Sequence, residues 1–204
     1  MYERLFAWMM AQGDSVQDRL YGTRKRRLLS DLDGDVLEIG PGTGVNLPYY
    51  PDGTRWTGLE PNPHMHDYAR EKAKAQGCSV ELHTGSAEDI DLLDASVDAV
   101  VSTLVLCSVD DLPRALAEIR RVLRPGGRFV FLEHVAGPEG SARRRAQRLA
   151  RPVWRPVADG CRPDRDTGAA IKRVGFDDVD YERFPVGSAL NLLRPHIAGM
   201  ARKG

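Results

Sequence analysis

The chain has 204 residues, 42% of them hydrophobic, which is enough to bury the core of one domain spanning residues 1–204. Its 29 basic residues balance 29 acidic ones, so no overall charge would draw the protein to nucleic acid. No run reaches the roughly 18 apolar residues of a membrane span, and the start, MYERLFAWMMAQ, contains acidic Glu3, which argues against a signal peptide or an anchor.

Residues 1–30 predict one or two helices that precede the first strand. Ser15 would cap the second helix if there are two. An apolar face is formed by Leu5, Phe6, Trp8 and Met9. Because the strand pattern that follows offers this face no partner, the segment is expected to form a helical lid over the edge of the sheet where ligands bind.

Beyond this segment, short β-rich runs alternate with helical segments. The alternation predicts an α/β fold, a Rossmann-like, doubly wound sheet of seven strands. The predicted strands cover residues 36–40, 55–60, 80–84, 98–103, 128–133, 178–184 and 195–201.

Capping and helix-terminating residues predict the bounds of two helices. Asn62 followed by Pro63 predicts an N-cap with proline at the first helical position, and Gly77 would end that helix. Two aspartates, residues 110–111, precede LPRALAEIRRVL, whose apolar residues fall on one face, and the Arg-Pro-Gly-Gly run at 124–127 predicts a closing turn.

Residues 139–166 form an arginine-rich insert between the fifth strand and the last helix, and they are expected to pack over the active site. A solvated face is the first interpretation of RRRAQRLARPVWRP. The alternative is peripheral contact with a membrane, in which Leu149, Val153 and Trp154 insert while the arginines meet anionic lipid.

Three glycines at every second position, Gly40, Gly42 and Gly44, follow the first strand in VLEIGPGTGV. The dinucleotide fingerprint would place its third glycine at Val45, so the loop does not fit that pattern. Glu60 lies twenty residues after Gly40, and such a carboxylate can hold the ribose hydroxyls of either kind of nucleotide.

Two polar residues favour a cationic ligand. Glu38 lies two residues before Gly40 and places a negative charge beneath the loop, which suits an ammonium or sulfonium group better than a pyrophosphate. Asn46 and the strand edge would hold an amino acid part of the ligand, while backbone N–H groups of the loop approach its carboxylate.

The run Glu-x-Gly-x-Gly-x-Gly, then Glu60, then GSAED at 85–89, resembles the class I S-adenosylmethionine-dependent methyltransferases over roughly residues 35–135. A closer likeness covers most of the chain from residue 36 onward and is similar to the methyltransferase-like group whose mammalian members methylate alkyl thiols. It is carried by STLVLCSV (102–109), RRVLRPGG (120–127), EHV (133–135), DGC (159–161) and HIAG (196–199). The resemblance implies S-adenosylmethionine as the cofactor.

By this resemblance, Glu60 takes the ribose hydroxyls, Pro61 and Met65 flank the adenine, and Ala87 with Glu88 borders the adenine edge. Relatives often carry aspartate at the position of Ser86. The implied cofactor-binding residues are Glu38, Gly40, Pro41, Gly42, Thr43, Gly44, Asn46, Glu60, Pro61, Met65, Ser86, Ala87, Glu88, Thr103 and Leu104. The last two would contact the methionine part through their backbone.

His134 ends the fifth strand and is the candidate catalytic residue, because a histidine there could take the acceptor's proton near neutral pH. A purely structural histidine is the alternative. The candidate substrate pocket comprises Phe6, Cys107, Trp154, Asp159 and Cys161, with Leu5 and Trp8 as further tunnel walls. The resemblance alone places Asp159 and Cys161 near the site.

Cys78, Cys107 and Cys161 are odd in number, widely spaced and form no Cys-x-x-Cys pair. This pattern argues against a disulfide framework and against a metal site, and it indicates a reducing, cytoplasmic location. The oligomeric state stays open.

Three functions fit these residues. The first is a methyltransferase acting on a small hydrophobic thiol, because a thiol needs little activation beyond positioning. The second is a carbon or oxygen methyltransferase of a quinone-like or other lipophilic metabolite, and the third is a non-catalytic S-adenosylmethionine-binding module.

Overall fold

The computed structural model describes residues 2–204; Met1, the first residue of the predicted lid, lies outside them. The strands are β1 (Asp35–Ile39), β2 (Arg55–Leu59), β3 (Val80–His83), β4 (Val97–Thr103), β5 (Leu123–His134), β6 (Asp178–Pro185) and β7 (Pro195–Arg202). They form one sheet in the order β3-β2-β1-β4-β5-β7-β6, in which β7 is antiparallel to both neighbours and the other pairs are parallel. This confirms the predicted doubly wound, seven-stranded α/β fold.

The helices are α1 (Tyr2–Leu29), α2 (Pro63–Ala75), α3 (Leu112–Val122), α4 (Ala142–Val157) and α5 (Thr167–Arg173), with a 3₁₀ turn at Leu47–Tyr49. The side chain of Asn62 accepts a hydrogen bond from the N–H of His64, as expected of an N-cap. Asp111 caps α3 in the same way.

The N-terminal segment is one continuous helix, so the prediction that Ser15 caps a second helix is wrong. The segment contains no proline, and a single glycine such as Gly13 costs only about 1 kcal/mol inside a helix. The Arg-Pro-Gly-Gly run at 124–127 does not form a separate turn either. It is an irregularity within β5, where Val97 pairs with Leu123 but Ala99 pairs with Arg128.

Helices cover both faces of the sheet. On one face, α3 buries residues spaced three and four apart, such as Leu112, Leu116 and Ile119, against strand residues that include Phe129 and Phe131. On the other face, the last turns of α1 pack on the alternate strand residues, which include Val130 and Leu132. With both faces buried, the carboxyl ends of β1, β2, β4 and β5 meet at one open edge, where ligands of such folds bind.

The arginine-rich insert contains α4. Its exposed face carries an apolar stripe, because Leu149, Val153 and Val157 lie four residues apart and are 81%, 74% and 71% exposed. Because these three residues occupy one side of α4, its arginines are not spread evenly around the helix. Beyond α4, the chain turns back toward the open edge at Asp159, whose backbone is left-handed (φ 46°).

Candidate active site

A cavity of about 370 Å³ opens at the carboxyl edge of the sheet. The glycine loop after β1 lines it together with Glu60 at the end of β2, Leu104 after β4 and His134 at the end of β5. A second cavity of about 210 Å³, lined by residues 85–88, adjoins it. The two share Gly40, Pro61, Val105, Ser108 and Asp159. One elongated site therefore runs along this edge.

Most residues predicted from the sequence meet in this site. Those in the larger cavity are Phe6, Glu38, Gly40, Pro41, Gly42, Thr43, Asn46, Glu60, Pro61, Met65, Thr103, Leu104, Cys107, His134, Asp159 and Cys161. Ser86, Ala87 and Glu88 line the smaller one. The sequence did not predict a site role for the remaining residues that line the larger cavity, which are Met10, Gln17, Val45, Asn62, Val105, Ser108, Ala158 and Leu193.

Gly44 and Trp154 lie outside the lining of both cavities. A Cβ on Gly44 would come within 3.1 Å of the Ala69 backbone, so this glycine allows the loop to pack on α2. The indole N–H of Trp154 donates to the Cys161 sulfur at 3.3 Å, so Trp154 supports a lining residue from behind.

Glu38 is a fully buried carboxylate beneath the loop. It accepts hydrogen bonds from Asn46 Nδ2 (2.8 Å), the Tyr50 hydroxyl (2.7 Å) and Trp56 Nε1 (2.9 Å). Burial raises the pKa of Glu38, and these three donors oppose that rise. Lys25 of α1 is buried nearby, and burial lowers its pKa to about 8 against the pull of Glu38. The carboxylate therefore fixes Asn46 and balances a buried ammonium group.

Asn46 joins the loop to the end of β4, since its Nδ2 also donates to the Thr103 hydroxyl at 3.0 Å. Its Oδ1 is buried and has no hydrogen-bond partner within residues 2–204. The next residue along the cavity, Leu104, has a left-handed backbone (φ 61°) that is uncommon for leucine. An unpaired acceptor and a strained backbone thus meet where β1 and β4 end.

Glu60 bridges the glycine loop and the start of α2. One carboxylate oxygen accepts from the Gly42 N–H at 3.0 Å, and the other accepts from the Asn62 N–H at 2.9 Å. Burial raises the pKa of Glu60, and these two bonds counteract it. Gly42 has a φ of 56° and no atom within 4 Å of where a Cβ would stand, so the space above the loop is open to a ligand.

The part of α1 up to Gln17 lies over the larger cavity and contacts it through Phe6, Met10 and Gln17. Leu5 and Trp8, expected as tunnel walls, are 60% and 55% exposed, so that prediction is wrong. The reason is helical spacing: Phe6 and Met10 are four residues apart and share one face, whereas Leu5 and Trp8 lie on another.

Asp14 ties α1 to the rest of the site. One carboxylate oxygen accepts from the Thr43 hydroxyl in the glycine loop at 2.7 Å, and the other pairs with Lys72 of α2 at 2.5 Å. Asn62 adds a bond to the Glu3 carbonyl at 3.1 Å. The covering helix is therefore attached to the two elements that line the cavity beneath it.

Three buried side chains, Cys107, His134 and Cys161, meet at the cavity and are called the thiol–imidazole cluster below. Their ligand atoms all lie within 4.8 Å of one another, and His134 Nε2 is 3.2 Å from the Cys161 sulfur. The hydrogen bond between the two thiols lowers the pKa of Cys161 and raises that of Cys107, while His134 and Trp154 also lower the pKa of Cys161.

The cluster is held by the loops that carry it. The N–H of Arg162 donates to the Cys107 carbonyl at 3.0 Å, which joins the loop after β4 to the segment after α4. The Arg165 guanidinium donates to the carbonyls of Leu106 (2.7 Å) and Val109 (2.6 Å) on either side of Cys107. Three motifs that are distant in sequence, STLVLCSV, EHV and DGC, each contribute one cluster residue.

Comparisons with known proteins agree with this geometry. Residues 37–131 match the family model of a methyltransferase domain. The chain is 38% identical to the thiol S-methyltransferase TMT1B of Homo sapiens, over 97% of this chain and 86% of that protein. It is 33% identical to TMT1A of Homo sapiens, also a thiol S-methyltransferase, over 98% and 87%.

A solved structure shares the fold: an S-adenosylmethionine-dependent methyltransferase from Thermotoga maritima, described as a possible histamine N-methyltransferase, matches with a TM-score of 0.70 at 23% identity and covers 98% of both chains. The chain therefore belongs to the family of S-adenosylmethionine-dependent methyltransferases that contains the thiol S-methyltransferases TMT1A and TMT1B, and S-adenosylmethionine is its cofactor.

Proposed function

We propose that this enzyme transfers a methyl group from S-adenosylmethionine to the sulfur of a small, apolar thiol. The observation that carries the proposal is the convergence of Cys107, His134 and Cys161 at the cavity that also contains the glycine loop. The names of the two relatives, which match nearly the whole chain, support the same acceptor class.

The residues present fit the cofactor. The unpaired Oδ1 of Asn46 is an acceptor for the ammonium group of the methionine part, and the backbone of Thr103 and Leu104 lies beside it. The space above Gly42 is open, so the carboxylate of the methionine part can approach the loop there. Glu60 takes the ribose hydroxyls. Bound there, the cofactor supplies a methyl group on a positively charged sulfur.

The smaller cavity takes the adenine in this proposal. Pro61 lines both cavities and so stands where ribose and base would join, while Ser86 and Ala87 border the base. The Glu88 Oε1 accepts from the N–H groups of Asp110 (2.7 Å) and Asp111 (3.2 Å), which fixes this carboxylate at the edge of the smaller cavity.

The acceptor occupies the end of the larger cavity between α1 and the thiol–imidazole cluster. Phe6, Met10, Leu104 and Leu193 give this end apolar walls, which suit an apolar substituent on the thiol. The protein holds the acceptor sulfur in line with the methyl group and keeps water out. His134 takes part in forming the acceptor's thiolate, the nucleophilic form.

An acceptor screen tests the proposal. With labelled methyl donor, the purified protein is expected to methylate small alkyl or aryl thiols, and to methylate the charged thiol cysteine much more slowly because the cavity walls are apolar. The measurement is labelled product separated by chromatography. Turnover on quinols or phenols with none on thiols would replace the proposal by the carbon or oxygen methyltransferase, whereas tight binding of S-adenosylhomocysteine with no turnover would indicate a binding module.

We propose that the first half of α1 acts as a lid. Hydrogen exchange in residues 2–12 is expected to slow when S-adenosylhomocysteine binds, because Phe6 and Met10 then pack on an occupied cavity. Asp14→Ala removes both ties to Thr43 and Lys72 and should restore fast exchange in the presence of ligand. The control is Asp33→Ala, at an exposed position. Equal exchange with and without ligand in the wild type would eliminate the lid.

Across residues 2–204, none of the helices has the length and apolar character needed to cross a bilayer. Trp154, expected to insert into a membrane, instead donates to Cys161, so that part of the membrane interpretation is wrong. Peripheral membrane contact remains part of the proposal, supported by the exposed stripe of Leu149, Val153 and Val157 and the neighbouring arginines of α4. A cytoplasmic location is proposed from the three unpaired cysteines.

A further inference from the structure

The thiol–imidazole cluster has the composition of a metal site. Cys107, His134 and Cys161 are all buried, and each offers one ligand atom, two thiol sulfurs and an imidazole nitrogen, within 4.8 Å of the others. Tetrahedral zinc binds sulfur at about 2.3 Å and nitrogen at about 2.0–2.1 Å, so ligand atoms stand a little under 4 Å apart around it. The observed spacing needs only small side-chain shifts to reach this arrangement.

The ligand types select the ion. Thiolate and imidazole ligands suit zinc, whereas magnesium and calcium require oxygen ligands. Three protein ligands, two of them cysteines and one a histidine, form a ligand set that catalytic zinc sites use, in which the fourth position stays open to water or substrate. Two thiolates also balance the two positive charges of the ion, which lowers the cost of placing it among buried residues.

The surroundings of the cluster hold its two cysteines in place. The Trp154 N–H donates to the Cys161 sulfur at 3.3 Å, and bonds of this kind orient metal ligands. The backbone bond from Arg162 to Cys107 and the Arg165 guanidinium fix the two cysteine loops against each other. The ligand positions are therefore set by the fold rather than assembled by the ion.

We propose that Cys107, His134 and Cys161 bind a zinc ion whose fourth position faces the cavity and takes the acceptor thiol. The zinc site is inferred from the geometry of its three residues, while the identity of the fourth ligand rests on the proposed function. The proposal departs from the expectation of no metal site and gives His134 a ligand's role instead of that of a direct proton acceptor.

The reaction at such a site balances without a further reagent. The acceptor thiol binds the zinc through sulfur and releases its proton to solvent. A lone pair of that sulfur forms the bond to the methyl carbon while the carbon–sulfonium bond breaks, and the bonding electrons stay on the departing sulfur, which becomes neutral. The product thioether is a weaker ligand than the thiolate and leaves the ion.

Metal analysis of the full chain, purified under reducing conditions without an affinity tag that binds metal, tests the site directly. We expect about one zinc ion per chain. Competition with a chromophoric chelator should show that Cys107→Ser, Cys161→Ser and His134→Ala each weaken zinc binding at least about 100-fold, and that Trp154→Phe weakens it about tenfold. The matched control, Cys78→Ser at an exposed cysteine, should bind zinc as the wild type does.

Substitution with Co²⁺ reports the coordination geometry of the bound ion. Replacing zinc by Co²⁺ should give the visible bands of a four-coordinate ion and the near-ultraviolet band of sulfur bound to cobalt. Both should be lost in Cys107→Ser and Cys161→Ser. Circular dichroism of these variants separates a lost ligand from a lost fold. A wild-type protein that is metal-free as purified and takes up neither Zn²⁺ nor Co²⁺ at micromolar concentration would overturn the proposal.

Different experiments test zinc binding and thiol methylation. Zinc bound with no turnover on any thiol would leave the site standing and remove the fourth ligand and the proposed acceptor. Full thiol turnover by chelator-treated, zinc-free enzyme would remove the metal from the reaction while the proposed function stands. Loss of turnover in the chelator, with recovery on adding Zn²⁺ but not Mg²⁺, is the expected result.

Discussion

Glu60→Ala is expected to weaken the binding of S-adenosylhomocysteine by at least about tenfold and up to about 100-fold. A hydrogen bond to a charged group contributes about 1.5–3 kcal/mol, and 1.4 kcal/mol corresponds to a tenfold change. The substitution also removes the bridge between Gly42 and Asn62, which holds the glycine loop against the start of α2. Isothermal titration calorimetry measures the affinity.

Two further variants serve as comparisons for Glu60→Ala. Glu60→Gln keeps one oxygen acceptor and the shape of the side chain, so its affinity should fall between those of the wild type and Glu60→Ala. Glu81→Ala removes a carboxylate that is exposed on β3 and should leave the affinity unchanged. Unchanged affinity in Glu60→Ala would contradict the ribose assignment and, with it, the orientation of the cofactor along the site.

The sheet was predictable because its central strands are buried on both faces. Such strands read as short apolar runs bounded by turn residues, and the predicted strand at 98–103 differs from β4 by a single residue at its start. The cofactor loop was predictable for a related reason: Gly40, Gly42 and Glu60 lie at fixed offsets from the strand ends, and the fold converts those offsets into positions around one cavity.

The covering helix was harder to predict. Its apolar residues surround the helix more widely than one face, since Leu5 and Trp8 are exposed while Phe6 and Met10 contact the cavity. Which face turns inward is decided by bonds from polar residues such as Asp14, whose partners Thr43 and Lys72 lie far away in the sequence. Hydrophobic pattern alone cannot supply that information.

The thiol–imidazole cluster illustrates a second limit. Metal-site patterns in sequence depend on close spacing, and the three cysteines show none, so the sequence pattern argued against a metal. The fold brings Cys107 and Cys161 together across more than fifty residues through one backbone bond and one arginine. The available signal was the family resemblance, which is carried by STLVLCSV, EHV and DGC and which placed Asp159 and Cys161 near the site.

Gly199→Ala is expected to destabilise the protein by about 3 kcal/mol or more. A Cβ at this position of β7 would overlap the Asp180 carbonyl and the Tyr181 backbone of β6, so the two strands could not keep their spacing. The effect should extend to the site, because β7 also pairs with β5, where His196 lies opposite His134. Gly199, the glycine of HIAG, therefore helps to position β7 beside β5, the strand that carries His134.

Gly13→Ala is the matched comparison, since apart from its chain neighbours and the backbone of its own helix no atom lies within 4 Å of where its Cβ would stand. It should raise stability by about 0.5–1 kcal/mol, the usual difference between glycine and alanine within a helix. Denaturant unfolding of both variants measures the contrast. If Gly199→Ala unfolds at the same denaturant concentration as the wild type, the close approach of β6 and β7 is not what requires glycine there.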